Sequence, residues 1–220
     1  MRFAGLIFDF DGVLIESEWA GNAHIADYLS ARGHPTTTQQ SMDQFMGLSG
    51  ADFRSAIERW TGVPLFDDFE MEREKVDARM IADGIAEVEG AVRFVRSLDP
   101  GFPKAVASSS GLVWLEAHLN HIGLREAFGE RVFSGAVHVA RGKPAPDLYW
   151  HAADAIGVPI EQVAIIEDSP VGVRGAVASG ATVIGLVAGR HCGDGHADRL
   201  RALGAHFIAR DFDEVAALTA

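Results

Sequence analysis

The chain has 220 residues, of which 48% are hydrophobic and 23% charged, which suits one large or two small domains with a buried core. A net charge of -12 argues against a nucleic-acid partner, and no apolar run approaches the roughly 20 residues of a membrane-spanning helix. The only cysteine, Cys192, excludes an internal disulfide and is typical of a reducing cytoplasm. Because Met1 leads directly into a predicted strand, we also expect no signal peptide, and hence a cytoplasmic protein.

The first predicted strand ends in two carboxylates. The apolar run from Leu6 to Phe8 predicts a buried strand, and Asp9, Asp11 and Gly12 follow it. On an extended chain, residues two apart face the same side and lie about 6–7 Å apart. Two such carboxylates are costly to bury unless a cation neutralises them, and Mg2+ prefers oxygen ligands. The stretch therefore predicts a Mg2+ site.

The next segment, residues 16–86, carries no strong strand signal. Apolar residues at helical spacing predict helices here, separated by glycine-containing breaks near residues 33, 47–50 and 62–64. We therefore expect residues 16–86 to form an all-α insert. The remainder, residues 1–15 and 87–220, would form a second domain around it.

From Val88 onwards, predicted strands and helices alternate. The predicted strands are residues 104–107, 132–134, 163–166, 182–187 and 206–208, and a helical pattern follows or precedes each of them. This alternation predicts an α/β fold, a Rossmann-like doubly wound parallel sheet with the all-α segment inserted into it. In such sheets the functional site lies at the carboxyl ends of the strands.

Polar side chains cluster where these predicted strands end, and one lysine lies in a loop that precedes a helix. Together they offer what hydrolysis of a phosphate monoester requires: a nucleophile, a proton donor and charge neutralisation. Asp9 can attack phosphorus, Asp11 can protonate the leaving oxygen, and Asp168 can help to hold Mg2+. Lys143 can offset the phosphate charge, and Ser108 with the following backbone N–H groups can bind phosphate oxygens.

Four motifs in this order resemble the haloacid dehalogenase (HAD) superfamily, in its helical-cap branch of sugar-phosphate phosphatases and β-phosphoglucomutase-like proteins. They occupy residues 9–14, 106–109, 141–147 and 165–172. The resemblance implies a catalytic core with a mobile helical cap, catalysis by Asp9 and Asp11, and an aspartyl-phosphate intermediate. It also implies a Mg2+ site formed by Asp9, the Asp11 backbone carbonyl, Glu167 and Asp168, with Glu167 ligating directly or through water. By the same resemblance, Ser108, Ser109 and Lys143 would bind phosphate, and the cap residues Gly47 and Leu48 would face the substrate.

Departures from the mutase pattern favour a phosphatase. Where β-phosphoglucomutase-like relatives carry a cap histidine and a basic residue, this chain has Gly21 and Gly50. The expected partner is a small phosphorylated metabolite, most simply a sugar phosphate, with no nucleic acid and no membrane. A phosphomutase is the first alternative. A catalytically silent binding protein on the same scaffold is the second, and the intact Asp9, Asp11, Lys143 and Asp168 count against it. The oligomeric state stays open between a monomer and a homodimer.

A second cluster of metal-ligating residue types lies near the carboxyl terminus. His191, Cys192 and His196 are close in sequence, but their spacing does not fit the usual paired-ligand patterns of metal sites. We therefore interpret the segment as a glycine-rich surface loop.

Overall fold

A computed structural model describes residues 1–46 and 50–220. It divides into two compact units, one of residues 1–16 and 86–220 and the other of residues 17–85. The predicted specificity residues Gly47 and Leu48 lie outside the described residues. The assignment of the larger unit as a catalytic core and of the smaller one as a cap stays a prediction.

The larger unit is organised around a parallel sheet. Among the described residues the sheet has six strands in the order β3-β2-β1-β4-β5-β6. The strands are β1 Gly5–Phe8, β2 Lys104–Ser108, β3 Val132–Ser134, β4 Val163–Glu167, β5 Thr182–Leu186 and β6 Phe207–Ala209. β1 pairs with β2 on one side and with β4 on the other, both in parallel. The predicted Rossmann-like doubly wound sheet is confirmed, and the strand order reverses beside β1, where such sheets form their binding crevice.

Helices account for most of the remaining described chain. In the smaller unit they are α1 Ser17–Ala31, α2 Thr38–Phe45, α3 Gly50–Thr61 and α4 Phe69–Asp83. In the larger unit they are α5 Ala91–Ser97, α6 Leu112–His121, α7 Arg125–Phe128, α8 Gly135–His138, α9 Asp147–Ile156, α10 Pro170–Ser179, α11 His196–Ala202 and α12 Phe212–Thr219. The sequence did not predict α7 and α8, because four residues are too few to show a helical period.

Each unit has an apolar core of its own. In the larger unit β1 is buried at every position, and the ring of Phe8 makes edge contacts with Phe94 and Phe128. In the smaller unit the aromatic rings of Tyr28 and Phe69 pack edge to face, with their centroids 5.2 Å apart. The helices in the described part of the chain include none that is both long and apolar enough to cross a membrane.

A buried histidine makes the stability of the larger unit depend on pH. His118 in α6 is 0% exposed, and neither ring nitrogen has a hydrogen-bond partner within the described chain. Burial, partly offset by the charge of Asp11, lowers the pKa of His118 below its ordinary value of 6.5. Below about pH 6.5 the unfolded chain therefore takes up a proton that the folded chain does not, so this residue reduces stability as the pH falls.

We expect His118→Leu to raise the free energy of unfolding by about 1–3 kcal/mol, because it removes two buried ring nitrogens that have no hydrogen-bond partner within the described chain. The variant should also lose less stability than the wild type between about pH 7.5 and pH 5.5. Urea unfolding at several pH values measures both effects, with His121→Gln on the exposed side of the same helix as the control. An unchanged pH dependence in His118→Leu would show that this histidine does not titrate as described.

Candidate active site

A buried lysine joins two carboxylates from different strands. Asp9 follows β1, and its backbone N–H donates to the carbonyl of Ile166 in β4, which fixes it at the carboxyl edge of the sheet. Lys143, in the loop before α9, places its Nζ 2.6 Å from Asp9 Oδ1 and 2.6 Å from Glu167 Oε1. The lysine side chain is only 3% exposed. Residues 134 positions apart in sequence therefore form one charged cluster at the predicted edge.

Burial and charge strongly perturb this cluster. Desolvation, reinforced by the negative charge of Glu167, raises the pKa of Asp9 well above its ordinary value, although Lys143 acts in the opposite direction. Burial alone would lower the pKa of Lys143, but the carboxylates of Asp9 and Glu167 raise it well above its ordinary value. The two carboxylates thus hold Lys143 as a cation despite its burial.

Glu167 is anchored by donors on both carboxylate oxygens. Besides Lys143, Oε1 accepts a hydrogen bond of 2.7 Å from the hydroxyl of Tyr149 in α9. Oε2 accepts from the hydroxyl and the backbone N–H of Ser169, at 3.0 and 3.2 Å. Glu167 is 0% exposed, so these bonds hold a buried carboxylate in one orientation.

The carboxylate of Asp11 faces the loop after β2. Its Oδ2 accepts hydrogen bonds from the hydroxyls of Ser108, at 3.3 Å, and Ser110, at 2.5 Å. Its Oδ1 accepts a bond of 3.0 Å from Nε1 of Trp114 in α6. Asp11 is therefore oriented by the segment that was predicted to bind phosphate, whereas Asp9 is oriented by Lys143.

With Asp168, the site contains three acidic side chains, a set that suits a hard divalent cation. Asp9, Glu167 and Asp168 are all buried, and each offers a carboxylate oxygen within 4.8 Å of the others. The oxygen ligands of one Mg2+ ion lie within about 4.2 Å of each other, which is close to the separation within this set. The ammonium of Lys143 contacts Asp9 and Glu167, and one positive charge does not balance two buried carboxylates, so the excess of negative charge favours a divalent cation.

The structure brings most of the predicted site residues to the carboxyl edge of the sheet. Asp9, Asp11, Ser108, Lys143, Glu167 and Asp168 all lie there. Ser109 is exposed, and no side-chain hydrogen bond of Ser109 is among those described.

Sequence reasoning did not assign Trp114, Tyr149, His191 or His196 to this group, although each contacts one of its members. Ser110 lies in the serine run that ends the second predicted strand, so the strand-end rule already pointed to it. Trp114 lies one turn further on, in α6, where its pattern suggested a core residue. No comparable signal marked Tyr149.

The interpretation of residues 191–196 as a surface loop is wrong for its two histidines. His191 is 4% exposed and His196 is 7% exposed, and both contact Asp168. The loop follows β5, the neighbour of β4 in the sheet, so it belongs to the same edge as the acidic residues.

Known proteins with similar sequences include two phosphatases of Escherichia coli. Fructose-1-phosphate phosphatase YqaB of Escherichia coli strain K12 is 32% identical over 188 residues, which are 83% of this chain and 96% of that protein. Hexitol phosphatase A of the same organism is 30% identical over 198 residues, covering 84% of each chain.

A solved structure shares the fold over nearly the whole length. The HAD family hydrolase from Deinococcus radiodurans R1, crystallised with bound phosphate and sodium, has a TM-score of 0.87 and 32% identity, and covers 99% of this chain and 95% of its own. The model of the family described as haloacid dehalogenase-like hydrolase matches residues 6–186. The resemblance drawn from the four sequence motifs is thereby confirmed, and the chain belongs to the haloacid dehalogenase-like hydrolase family.

Proposed function

We propose that the protein is a Mg2+-dependent phosphatase that hydrolyses a small phosphorylated metabolite through an aspartyl-phosphate intermediate. The observation that carries this proposal is the buried contact of Asp9 with Lys143, which places a carboxylate nucleophile beside a fixed cation. Asp168 supports it, since this third carboxylate lies close enough to share an ion with Asp9.

A sugar phosphate is the proposed substrate class. Two relatives that match more than four-fifths of the chain are named as phosphatases of fructose 1-phosphate and of hexitol phosphates. Both names describe phosphate monoesters of small polyhydroxylated molecules. The phosphomutase alternative gains no support from either relative.

In the proposed first step, a carboxylate oxygen of Asp9 attacks phosphorus while the bond from phosphorus to the sugar oxygen breaks. Asp11 donates a proton to that leaving oxygen, so the sugar departs as a neutral alcohol. Asp11, now a carboxylate, then takes a proton from water as the water attacks the aspartyl-phosphate. Inorganic phosphate leaves, and Asp9 and Asp11 return to their starting states.

The other side chains stabilise charge and geometry. Lys143 neutralises phosphate oxygens as they approach Asp9, and Glu167 holds the lysine in place through a second contact. Asp9, Asp168 and the Asp11 carbonyl would hold Mg2+, with Glu167 reaching it directly or through water. Bound there, the ion would supply Lewis-acid stabilisation of negative charge on the phosphate. Ser108 and Ser109 would complete the phosphate site.

Trp114 provides a test of the role of Asp11. Trp114→Phe removes the Nε1 donor to Asp11 but keeps an aromatic ring in α6. We expect kcat to fall about tenfold, which corresponds to the loss of a hydrogen bond of about 1.5 kcal/mol to a charged group. The KM should change little, because Trp114 would act on the proton donor rather than on substrate binding. Steady-state kinetics measure both, and an unchanged kcat would show that this bond does not support catalysis.

A phosphate-release screen tests the function itself. The purified protein is incubated with fructose 1-phosphate, hexitol phosphates, other sugar phosphates, phosphoglycolate and nucleotides, each with Mg2+ and with a chelator. We expect Mg2+-dependent release from sugar phosphates and none after chelation. A parallel incubation with a β-hexose 1-phosphate measures how much hexose 6-phosphate and how much free phosphate are formed. Accumulation of the 6-phosphate without free phosphate would contradict the phosphatase and identify a mutase.

A further inference from the structure

Two histidines hold Asp168 from different directions. His191 Nε2 lies 2.7 Å from Asp168 Oδ2, and both side chains are 2% exposed. His196 Nε2 lies 2.6 Å from the backbone carbonyl oxygen of Asp168. A carbonyl oxygen only accepts hydrogen bonds, so the His196 ring carries its proton on Nε2. Both the carboxylate and the backbone of Asp168 are thus oriented by the loop and helix that follow β5.

Two glycines allow this close approach. A Cβ atom at Gly189 would lie 2.5 Å from Cε1 of His191, which no real side chain tolerates. A Cβ atom at Gly12 would lie 2.1 Å from Asp168 Oδ2 and 2.8 Å from His191 Cε1. Gly12 also has a φ of 77°, in the left-handed region that favours glycine. The glycine that follows the two catalytic aspartates therefore leaves room for His191 to reach Asp168.

The same loop has the composition of a soft-metal site, and the geometry argues against one. His191, Cys192 and His196 offer ligand atoms within 4.8 Å of one another. However, the Cys192 Sγ lies 3.3 Å from Nε2 of His191, the nitrogen that already contacts Asp168. Nε2 of His196 is likewise committed to Asp168. A soft metal held by Cys192 together with Nε2 of His191 would have to take that histidine away from the carboxylate.

We propose that His191 and His196 are positioning residues, which hold Asp168 in the orientation that the cation site requires. The proposal rests on the proposed function, in which Asp168 ligates the metal. Residues that hydrogen-bond to a metal ligand fix its direction, and their loss costs about 10–100-fold in metal affinity. His191 acts on the carboxylate itself, so its replacement should have the larger effect.

The test measures Mn2+ binding to the full-length protein by electron paramagnetic resonance of the free ion. His191→Leu fills similar space without a donor, and His191→Asn carries a donor that is too short to reach. His191→Gln places an amide N–H2 near the position of Nε2. We expect the Leu and Asn variants to bind Mn2+ about 10–100-fold more weakly than the wild type, and the Gln variant to recover most of the affinity. Asp194→Asn, an exposed residue of the same loop, is the matched control and should bind like the wild type.

Wild-type Mn2+ affinity in both His191→Leu and His191→Asn would overturn the positioning role and leave the proposed function standing. Failure of the wild type to bind Mn2+ at all would overturn both. Co2+ tests the rival site: a near-ultraviolet thiolate-to-cobalt absorption band that Cys192→Ser abolishes would identify a soft-metal site and contradict our assignment. The Asn and Gln variants keep the test decisive if the apolar Leu variant does not fold.

Discussion

Replacing Asp9 with asparagine should abolish turnover and leave the fold intact. The amide of Asp9→Asn is a far weaker nucleophile than a carboxylate, so the aspartyl-phosphate cannot form at a useful rate. Removing a nucleophile from a catalytic unit commonly lowers kcat by about 10⁴-fold or more. Phosphate release from the substrate found in the screen measures the loss. A mock purification from cells without the protein measures the background activity of trace contaminants.

The stability of the same variant should change little. Asparagine keeps the size of Asp9 and an oxygen that can accept a hydrogen bond from Lys143, and Glu167 still neutralises that lysine. We expect the thermal midpoint to move by no more than about 4 °C, which corresponds to about 1 kcal/mol. Asp213→Asn, an exposed carboxylate paired with Arg93, is the matched control and should retain full activity. Activity retained in Asp9→Asn would exclude Asp9 as the nucleophile.

Replacing Lys143 with methionine should damage both activity and stability. The side chain is 3% exposed and contacts Asp9 and Glu167, so Lys143→Met leaves two buried carboxylates without their cation. Removing one partner of a buried ion pair costs about 3–5 kcal/mol, which corresponds to a fall of about 10 °C in the thermal midpoint. Loss of a fixed charge at the phosphate site should lower kcat/KM by about 10²–10³-fold. Calorimetry and steady-state kinetics measure the two effects.

A double variant separates charge balance from catalysis. Combining Lys143→Met with Glu167→Gln removes one of the two uncompensated carboxylates. The double variant should therefore recover part of the stability that Lys143→Met loses. Activity should not recover, because the phosphate would still lack its cation. If Lys143→Met unfolds at the same temperature as the wild type, the buried ion pair does not stabilise the protein as described.

The general position of the site could be predicted from the sequence because strand ends follow a simple rule. Asp9 and Asp168 each follow an apolar run, and parallel strands bring their carboxyl ends to one edge of the sheet. The rule places Asp9 and Asp168 together without knowledge of any side-chain contact. The strand-end rule does not locate Lys143, because this residue lies in a loop before a helix. Its position within the third motif supplied the missing information.

The orientation of individual side chains could not be predicted in the same way. Glu167 and Asp168 are adjacent in sequence, yet one contacts Lys143 and Tyr149 while the other contacts His191. Tertiary packing decides which partners each side chain contacts, and the periodicity of apolar residues in the sequence does not predict it. His191 was within reach of the strand-end rule, since its loop follows β5. The glycines around it instead suggested an exposed loop, whereas they provide the space in which a buried histidine meets Asp168.

The stereochemistry at phosphorus tests the central claim most directly. A phosphorothioate ester of the sugar substrate, made chiral with oxygen isotopes, is hydrolysed in water labelled with the third isotope, and the handedness of the released thiophosphate is determined. Attack by Asp9 followed by attack of water inverts the configuration twice, so our account predicts net retention. Net inversion would mean that water displaces the sugar in one step, and that no aspartyl-phosphate forms.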